Sequence, residues 1–317
     1  MHELNWGLPV ITYLFMAGMG AGALTASASV LLRGGPRNVH FDVARYGAFI
    51  APIPVAIGSA LLVFELGSFQ VGNWFRFLNL YTTINLSPMS VGTWLLTFFL
   101  GVSVLYAYTF LSRDARADDA QSGLRRAVAW VSVPLGVGVA IYTGVLLGAM
   151  PARPFWNSPV LAMLFLLSSI STGVAAILLA RALLHRKDPD EKREHEYHES
   201  GYLLTTSDTL LIGLELVTLF LFLMYAHLTI GSVKEAVSVV LSGGALAGMF
   251  WFWVVLVGLV APALIELYLI MPRLLHHKEY EVHRSLEIIL PAAVLVGGFM
   301  LRYVVVIAGQ ITHPIGL

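Results

Sequence analysis

The stretch YLFMAGMGAGA, from Tyr13 to Ala23, decides what kind of protein this chain is. It has glycines at alternate positions, Gly18, Gly20 and Gly22, a spacing that resembles a phosphate-binding loop. Such a loop follows a β-strand and precedes a helix, whereas here both flanks belong to one apolar run. Gly18 and Gly22 form a small-residue pair four positions apart, which lets two membrane helices approach closely. We therefore expect a membrane helix that packs against another helix.

The composition excludes an ordinary water-soluble domain. Hydrophobic residues make up 57% of the 317 residues and charged residues only 12%, whereas soluble domains carry about 25% charged residues. The formal net charge of zero gives no indication of nucleic-acid binding. The sequence has no cysteine, which excludes disulfides, cysteine-ligated iron–sulfur clusters and cysteine nucleophiles within it. The high hydrophobic content and the low charged content together indicate that lipid is the solvent for much of the chain.

Eight apolar runs are long enough to span a bilayer as helices, which takes about 20 residues each. They cover residues 8–32, 46–68, 88–112, 127–149, 159–184, 202–230, 243–270 and 286–309. Continuous apolar runs favour helices over membrane β-strands, which alternate over segments of about ten residues. We predict an all-α integral membrane protein, with residues 1–317 forming a single transmembrane domain that is a bundle of eight helices.

The connections between the runs, numbered from one to seven along the chain, differ in charge. Fifteen of the nineteen Lys and Arg residues lie in or beside the odd-numbered connections, three lie in the even-numbered ones, and Arg302 lies inside the eighth run. By the positive-inside rule, the odd connections face the cytoplasm and both termini lie on the outer, periplasmic side. We expect a multi-pass protein of the cytoplasmic (inner) membrane of a bacterium or archaeon.

The second and fourth connections, Gly72–Ser90 and Ala149–Pro159, are rich in aromatic residues. Their aromatic side chains include Trp74, Phe75, Phe77, Tyr81, Phe155 and Trp156. Aromatic residues at such places form either a belt at the membrane interface or a docking surface for a partner protein. The sequence leaves both alternatives open.

Ionisable residues inside the apolar runs are functional candidates, because a charge in lipid is costly. These residues are Glu65, Asp208, Glu215, Glu266 and Arg302. Asp208 and Glu215 are seven residues apart and share a helix face, which is compatible with a proton path. The structural alternatives are a helix cap for Asp208, an interfacial position for Glu266 and a counter-ion role for Arg302.

Polar residues near the predicted outer side are candidates for binding a quinone. Tyrosine hydroxyls and the glutamine amide can hydrogen-bond its carbonyl oxygens, which makes Tyr13, Tyr142 and Gln310 candidates. The same residues are equally compatible with internal packing. None of the ten histidines lies in mid-span, which argues against a b-type haem, and the histidines in charged loops predict no metal site.

Several stretches together resemble the NrfD/PsrC family of membrane subunits, in order and over almost the whole chain. They are WGLPVITYLFMAGMGAGA (Trp6–Ala23), ELGSFQVGNWFRF followed by SPMSVGTW, YTGVLLGAMPARPFWNSPVLAMLFLLSSISTG (Tyr142–Gly173) and GGFMLRYVVVIAGQ (Gly297–Gln310). The resemblance implies an eight-helix protein without haem or metal. It also implies a partner subunit with four iron–sulfur clusters, joined to a catalytic subunit that is often a molybdopterin enzyme.

The resemblance further implies electron exchange with a quinone pool, either menaquinone or ubiquinone. Tyr142 matches a tyrosine that holds the quinone head group in polysulfide-reductase-like members, and Tyr13 matches a polar position of the first helix. Val10 stands where some relatives have an asparagine, so the hydrogen-bond set differs in part. Glu65 matches an acidic position and is a candidate proton donor or acceptor. The partner is expected on Gly72–Ser90 and Ala149–Pro159.

Two other functions are compatible with the same residues. A transporter would use the buried acids to bind an ion or a proton, although no clear internal repeat supports it. A purely structural anchor would use the bundle only to hold a partner at the membrane. A proton path through Glu65, Asp208, Glu215 and Arg302 is compatible with the quinone-linked function.

Overall fold

The protein is all-helical where the computed structural model describes it, at residues 6–34, 40–67, 81, 87–112, 119–185, 191–241, 243–276, 280 and 282–312. The side chains of residues 64–67 and 119–121 are outside this description. Eight helical segments are long and apolar enough to cross a membrane, and these residues include no strand. The predicted count of eight membrane helices is confirmed, and the protein is a multi-pass membrane protein.

The helices in chain order are α1 Leu8–Gly34, α2 Phe41–Ile50, α3 Pro52–Gly67, α4 Pro88–Tyr108, α5 Asp119–Gly148, α6 Pro159–Leu184, α7 Glu191–Leu228, α8 Ser232–Ser238, α9 Ala247–His276 and α10 Arg284–Ile311. Within α9, the stretch Phe250–Val260 winds as a wider π-helix. The short α8 lies in the sixth connection, and α2 and α3 together form the second membrane span.

The second span differs from the continuous run predicted at 46–68. It begins at Phe41, and a break at Ala51 separates α2 from α3. The break precedes Pro52, which lacks a backbone N–H and therefore cannot donate the hydrogen bond that would continue α2. Proline thus interrupts the backbone hydrogen bonds of this span, while Ala51 keeps helical dihedral angles and α2 and α3 remain one span.

The fifth connection is shorter than expected, because α7 begins at Glu191 and not at residue 202. The additional turns are charged and carry pairs spaced by four residues. His195 Nε2 lies 3.7 Å from a Glu199 carboxylate oxygen, and His198 Nε2 lies 3.6 Å from one of Glu194. Such pairs favour helix in water. The hydropathy of the sequence locates the lipid-crossing part of α7 but not its start.

The small residues of α1 lie at the centre of the bundle. Helix α1 packs against α2, α3, α5, α6 and α10. A Cβ atom on Gly22 would collide with the backbone of Ser169, and one on Gly173 would collide with the backbone of Gly22 and Ala23. The glycines of α1 therefore permit backbone contact with α6, as the spacing of Gly18 and Gly22 predicts.

The fourth connection closes the end of the bundle on the side of the even connections. Trp156 is fully buried, stacks on Trp6 with ring centroids 5.2 Å apart, and donates from Nε1 to the Val305 carbonyl at 2.7 Å. Phe155 is also buried and packs edge-on against Phe222. Neither ring belongs to an interface belt or a docking surface, so both sequence-based interpretations are wrong for these two side chains.

Candidate functional site

Two tyrosines lie buried toward the even-connection end of the bundle. Tyr13 of α1 has no exposed surface, and Tyr142 of α5 is 8% exposed. The two phenols are close enough to interact electrostatically. The Tyr13 hydroxyl is buried and makes no hydrogen bond within the described part of the protein. A buried hydroxyl without a partner is costly, which is typical of a position that meets a ligand or water.

Glycine allows Tyr142 to reach its position. A Cβ atom on Gly92 of α4 would overlap the Tyr142 hydroxyl and ring. Gly58 of α3 packs near the backbone of Tyr13, where a Cβ atom on Gly58 would lie 3.3 Å from the Tyr13 Cα atom. Close helix contacts therefore hold both phenols in a site shaped by α1, α3, α4 and α5.

The side-chain amide of Gln310 is hydrogen-bonded within the protein and is not free to bind a ligand. Its Oε1 accepts from the Trp6 backbone N–H at 2.9 Å, and its Nε2 donates to the Trp6 carbonyl at 3.0 Å. Arg153 in the fourth connection donates to the Gln310 carbonyl at 2.8 Å. Gln310 thereby ties the segment before α1 to the end of α10, close to the stacked Trp6 and Trp156 rings.

Glu65 lies in α3, seven residues beyond Gly58, but its side chain is outside the described residues. Most of the second connection also lies outside them, including Trp74, Phe75 and Phe77. Tyr81 is described: its hydroxyl shares a hydrogen bond of 2.8 Å with Thr97 Oγ1 of α4. The role of Glu65 therefore rests on its sequence position.

Arg302 and Glu215 form a buried polar cluster between α10 and α7. The Arg302 guanidinium donates to the hydroxyls of Ser168 and Ser169 of α6, and to the Gly298 carbonyl at 3.0 Å. Ser168 also hydrogen-bonds the Glu215 side chain, so one hydroxyl joins the cation to the acid. Both charged residues are almost completely buried, and each compensates the other's charge.

Asp208 lies about two turns away from Glu215 on α7. Ser171 of α6 donates to Asp208 Oδ1 at 2.8 Å, and Oδ2 is buried without a hydrogen bond within the described residues. Asp208 is an interior residue of α7, which begins at Glu191, so a capping role for Asp208 is wrong. It interacts electrostatically with Glu215 and with Glu266.

Glu266 extends this series toward the odd connections. It lies in α9, is 1% exposed, and its Oε2 accepts from Thr209 Oγ1 of α7 at 2.9 Å. An interfacial position for Glu266 is therefore wrong: the side chain points into the bundle. Glu266, Asp208 and Glu215 form a series of neighbouring acids, with hydroxyl partners from α6 and α7.

A small cavity, lined by apolar and several polar side chains, lies at the odd-connection end of this series. Its volume is about 30 Å³, enough for one or two water molecules, and its lining includes Glu266, Arg181, Tyr197, Tyr280 and Glu287. The Tyr197 hydroxyl donates to Glu287 at 3.1 Å and the Tyr280 hydroxyl donates to Thr205 at 2.9 Å. Burial raises the pKa of Tyr280 to about 12, so it remains protonated and can donate at neutral pH.

The structure adds residues that the sequence analysis did not select. Ser168, Ser169 and Ser171 of α6 supply the hydroxyls that join Arg302 and the acids. Their signal in the sequence is the polar stretch SSIST within an otherwise apolar helix. Within the described residues, no group of three His, Asp or Glu side chains is arranged to hold a metal ion.

Known proteins resemble this protein over nearly its full length. Residues 1–314 match the family described as "Polysulphide reductase, NrfD". A polysulfide reductase chain of Wolinella succinogenes is 29% identical over 98% of this sequence and 95% of its own length. Protein NrfD of Escherichia coli is also 29% identical, over 98% of this sequence and 96% of its own length.

A more distant relative is a selenate reductase subunit of Mesobacillus selenatarsenatis, 24% identical over 81% of this sequence and 64% of its own length. The family match spans all eight membrane helices, together with the buried tyrosines and the buried acids described above. The protein therefore belongs to the NrfD family of membrane-embedded oxidoreductase subunits.

Proposed function

We propose that this protein is the membrane subunit of a respiratory reductase complex, and that it exchanges electrons and protons between a quinone pool and a partner iron–sulfur subunit. Two relatives are named as parts of polysulfide and selenate reductases, which supports a place in such a complex. The observation that carries the quinone assignment is the pair of buried phenols, Tyr13 and Tyr142, one of which has a hydroxyl without a hydrogen-bond partner in the described residues.

The residues present fit a quinone head group. A bound quinone supplies two-electron, two-proton redox chemistry. The Tyr13 and Tyr142 hydroxyls can donate hydrogen bonds to its two carbonyl oxygens, since phenols are good donors at neutral pH. Close packing around Gly92 and Gly58 excludes bulk water from both phenols. Glu65 is proposed as the acid that exchanges a proton near this site, and Gln310 as a brace that fixes Trp6.

The partner subunit is proposed to dock at the even-connection face. The sequence has no cysteine to hold an iron–sulfur cluster, which supports transfer of the electrons to clusters that another subunit carries. Because Tyr13 and Tyr142 lie toward this face, a partner there would be the nearest acceptor. We place this face on the outer, periplasmic side by the positive-inside rule, and the catalytic subunit, a molybdopterin enzyme, beyond the iron–sulfur subunit.

The decisive test is quinol-dependent reduction of the partner's iron–sulfur clusters in the purified complex. Tyr142→Phe removes only the hydroxyl, and we expect the rate of cluster reduction to fall about 100-fold, a typical effect of losing a hydrogen-bond donor to an oxygen on which charge develops. Electron paramagnetic resonance of the clusters after mixing with a quinol measures that rate.

The matched control is Tyr268→Phe, which removes a hydroxyl from a side chain that is 76% exposed on α9. This variant should reduce the clusters at the wild-type rate. Full quinol reactivity in Tyr142→Phe, with the complex intact, would defeat the assignment of the site. Recovery of the protein without any iron–sulfur subunit under gentle extraction would defeat the proposed function.

We also propose a proton path that uses the buried acids and Arg302. Glu266, Asp208 and Glu215 interact in series, and hydroxyls of Thr209, Ser171 and Ser168 lie beside them. The small cavity next to Glu266 would let water reach this series from the odd-connection face. Acids and hydroxyls at such spacing can pass a proton when water or small side-chain movements bridge them.

Glu266→Gln tests this path, because glutamine keeps the hydrogen bond with Thr209 but cannot release a proton. In proteoliposomes that hold the whole complex, we expect proton movement per electron to fall severalfold while cluster reduction in detergent is retained. A pH-sensitive dye inside the vesicles measures the movement. Glu235→Gln, in an exposed part of α8, is the control and should change nothing. Unchanged proton movement in Glu266→Gln would refute the path.

The buried acids also favour a second candidate, a proton or ion transporter that works alone. Its test is transport by the isolated protein in liposomes, without partner or quinone. Transport that depends on Asp208 and Glu215 in the isolated protein would favour the transporter over the quinone-linked subunit. A purely structural anchor would show neither this transport nor an effect of Tyr142→Phe.

A further inference from the structure

A second and larger cavity lies at the opposite end of α1 from the tyrosines. It has a volume of about 490 Å³ and lies between α1, α6 and α7. Ser29, at its middle, is sixteen residues from Tyr13, which corresponds to about 24 Å along a helix axis. The cavity is therefore separate from the proposed quinone site, and its volume is in the range of small-molecule sites.

The mouth of the cavity is the end at Arg33 and His40, and one face of α1 lines the cavity from this end inward. Thr25, Ser29 and Arg33 follow one another at steps of four residues, so they line one stripe of the helix. The deeper wall consists of aliphatic side chains from all three helices: Val30, Ile170, Val174, Leu203, Leu204 and Leu211.

The hydroxyls deep in the cavity do not require a polar ligand. Thr25 Oγ1 donates to the Ala21 carbonyl at 2.8 Å, and Ser207 Oγ donates to the Leu203 carbonyl at 2.7 Å. Both hydrogens are therefore used within their own helices. An aliphatic chain beside Thr25 and Ser207 would leave neither of these two hydroxyls unsatisfied, and it would gain the usual free energy of apolar burial.

Among the described residues that line the mouth of the cavity are the exposed Arg33 and, beside it, the half-buried His40. Burial lowers the pKa of His40, nearby Glu199 and Glu196 raise it, and Arg181 lowers it further; the net shift is downward. His40 is therefore mostly neutral at pH 7. Charges of both signs lie around His40. They favour recognition of a phosphate through directed hydrogen bonds from Arg33, rather than through a general attraction of negatively charged ligands.

We propose that this cavity binds one acyl chain of a glycerophospholipid, whose phosphate is held by Arg33. The polar mouth lies at the odd-connection face, where a lipid head group would meet Arg33, and the aliphatic interior extends along α1 toward the membrane centre. Basic residues at pockets between membrane helices are recognised sites for lipid head groups. The ligand is thus a structural lipid distinct from the redox quinone.

The test is native mass spectrometry of the purified complex titrated with dioleoyl phosphatidylglycerol or with dioleoylglycerol, which has the same acyl groups without the phosphate. We expect the phospholipid to bind about tenfold more tightly, since a charge-assisted hydrogen bond accounts for at least that factor. Arg33→Gln should remove this difference. Arg284→Gln, an exposed arginine at the start of α10, should preserve it.

A second pair of variants tests the acyl-chain site. Ser29→Phe should fill the cavity and lower the binding of both lipids about tenfold, whereas Val104→Phe, on an exposed face of α4, should leave binding unchanged. If Ser29→Phe fails to fold, the comparison of the two lipids in Arg33→Gln still tests the proposal, because Arg33 is exposed and its replacement should not prevent folding. Equal binding of the two lipids, or displacement of the bound molecule by a quinone and not by phospholipid, would overturn the proposal.

Discussion

At the scale of single residues, Arg302 is held inside the bundle by contacts on several sides. It has no exposed surface, its guanidinium donates to two serine hydroxyls and a backbone carbonyl, and it lies over the Phe165 ring at 5.1 Å. The positive charge is compensated by Glu215 through Ser168. A buried pair of this kind is costly to break, because removal of one partner leaves an uncompensated charge.

We predict that Arg302→Met lowers the free energy of unfolding by about 3 to 5 kcal/mol, the usual result of isolating a buried charge. The double variant Arg302→Met with Glu215→Gln should be less destabilised than the sum of the two single variants, because no unpaired charge remains. Thermal unfolding of the purified protein in detergent measures the four states of this cycle. Additive losses would mean that Arg302 and Glu215 do not interact.

At the scale of helices, the contact between α1 and α6 depends on the absence of side chains. Gly22 faces the backbone of Ser169, and Gly173 faces the backbone of Gly22. No rotamer change can relieve a clash with backbone, so the helices themselves would have to move apart. That movement would also displace Ser168 and Ser169 from Arg302.

We expect Gly22→Ala to destabilise the bundle by about 1 to 3 kcal/mol, the range for overpacking a well-packed core. Gly101→Ala in α4 is the matched control, because a Cβ atom there would meet no atom within 4 Å. The midpoint of thermal unfolding in detergent should fall for the first variant and stay equal or rise for the second. Equal midpoints for both would contradict the close contact.

The sequence predicts some of these features better than others. Apolar length is a local property, so all eight spans are predictable, and the Gly18–Gly22 pair correctly predicts a close helix contact. The start of α7 is not predictable from hydropathy, because its first turns are helical in water. The partners of Asp208 and Glu266 depend on which helices are neighbours, which no single segment encodes.

The aromatic residues of the fourth connection also show what the sequence does not predict. Trp156 and Phe155 have the composition expected of a membrane-interface belt, yet both are buried against α10 and α7. The sequence predicts that both residues lie near the end of a helix, but it does not predict whether their side chains point inward. The candidate tyrosines are predictable as polar groups in apolar runs, whereas their proximity requires the packing of α1 against α5.

At the scale of the whole molecule, the two faces of the bundle are chemically different. The odd-connection face carries most of the charged residues. In the described part of the fourth connection, the exposed positions include the small or polar residues Pro151, Ala152 and Asn157. A surface with few charges is suited to a stable protein interface, because little polar surface must be desolvated.

If the iron–sulfur subunit docks at the even-connection face as proposed, Ala152→Arg should weaken their association at least tenfold, because it would bury a new charge in that interface. Glu191→Arg is the control, since it introduces the same side chain at an exposed position of the opposite face. Copurification of the partner with the tagged protein, quantified by mass spectrometry, distinguishes the two. Loss of the partner only in Glu191→Arg would reverse the assignment of the faces.

The burial of α1 has a consequence for how the protein is made. Of the eight spans, the first to leave the ribosome is also the most enclosed, and its glycine-rich surface fits α6, whose first residue comes 125 positions after the last of α1. At ordinary elongation rates of about 5–20 residues per second, α1 waits on the order of ten seconds for that partner. During this time its small and hydroxyl-bearing side chains face lipid or the insertion machinery, so a factor that shelters nascent helices should matter most for this first span.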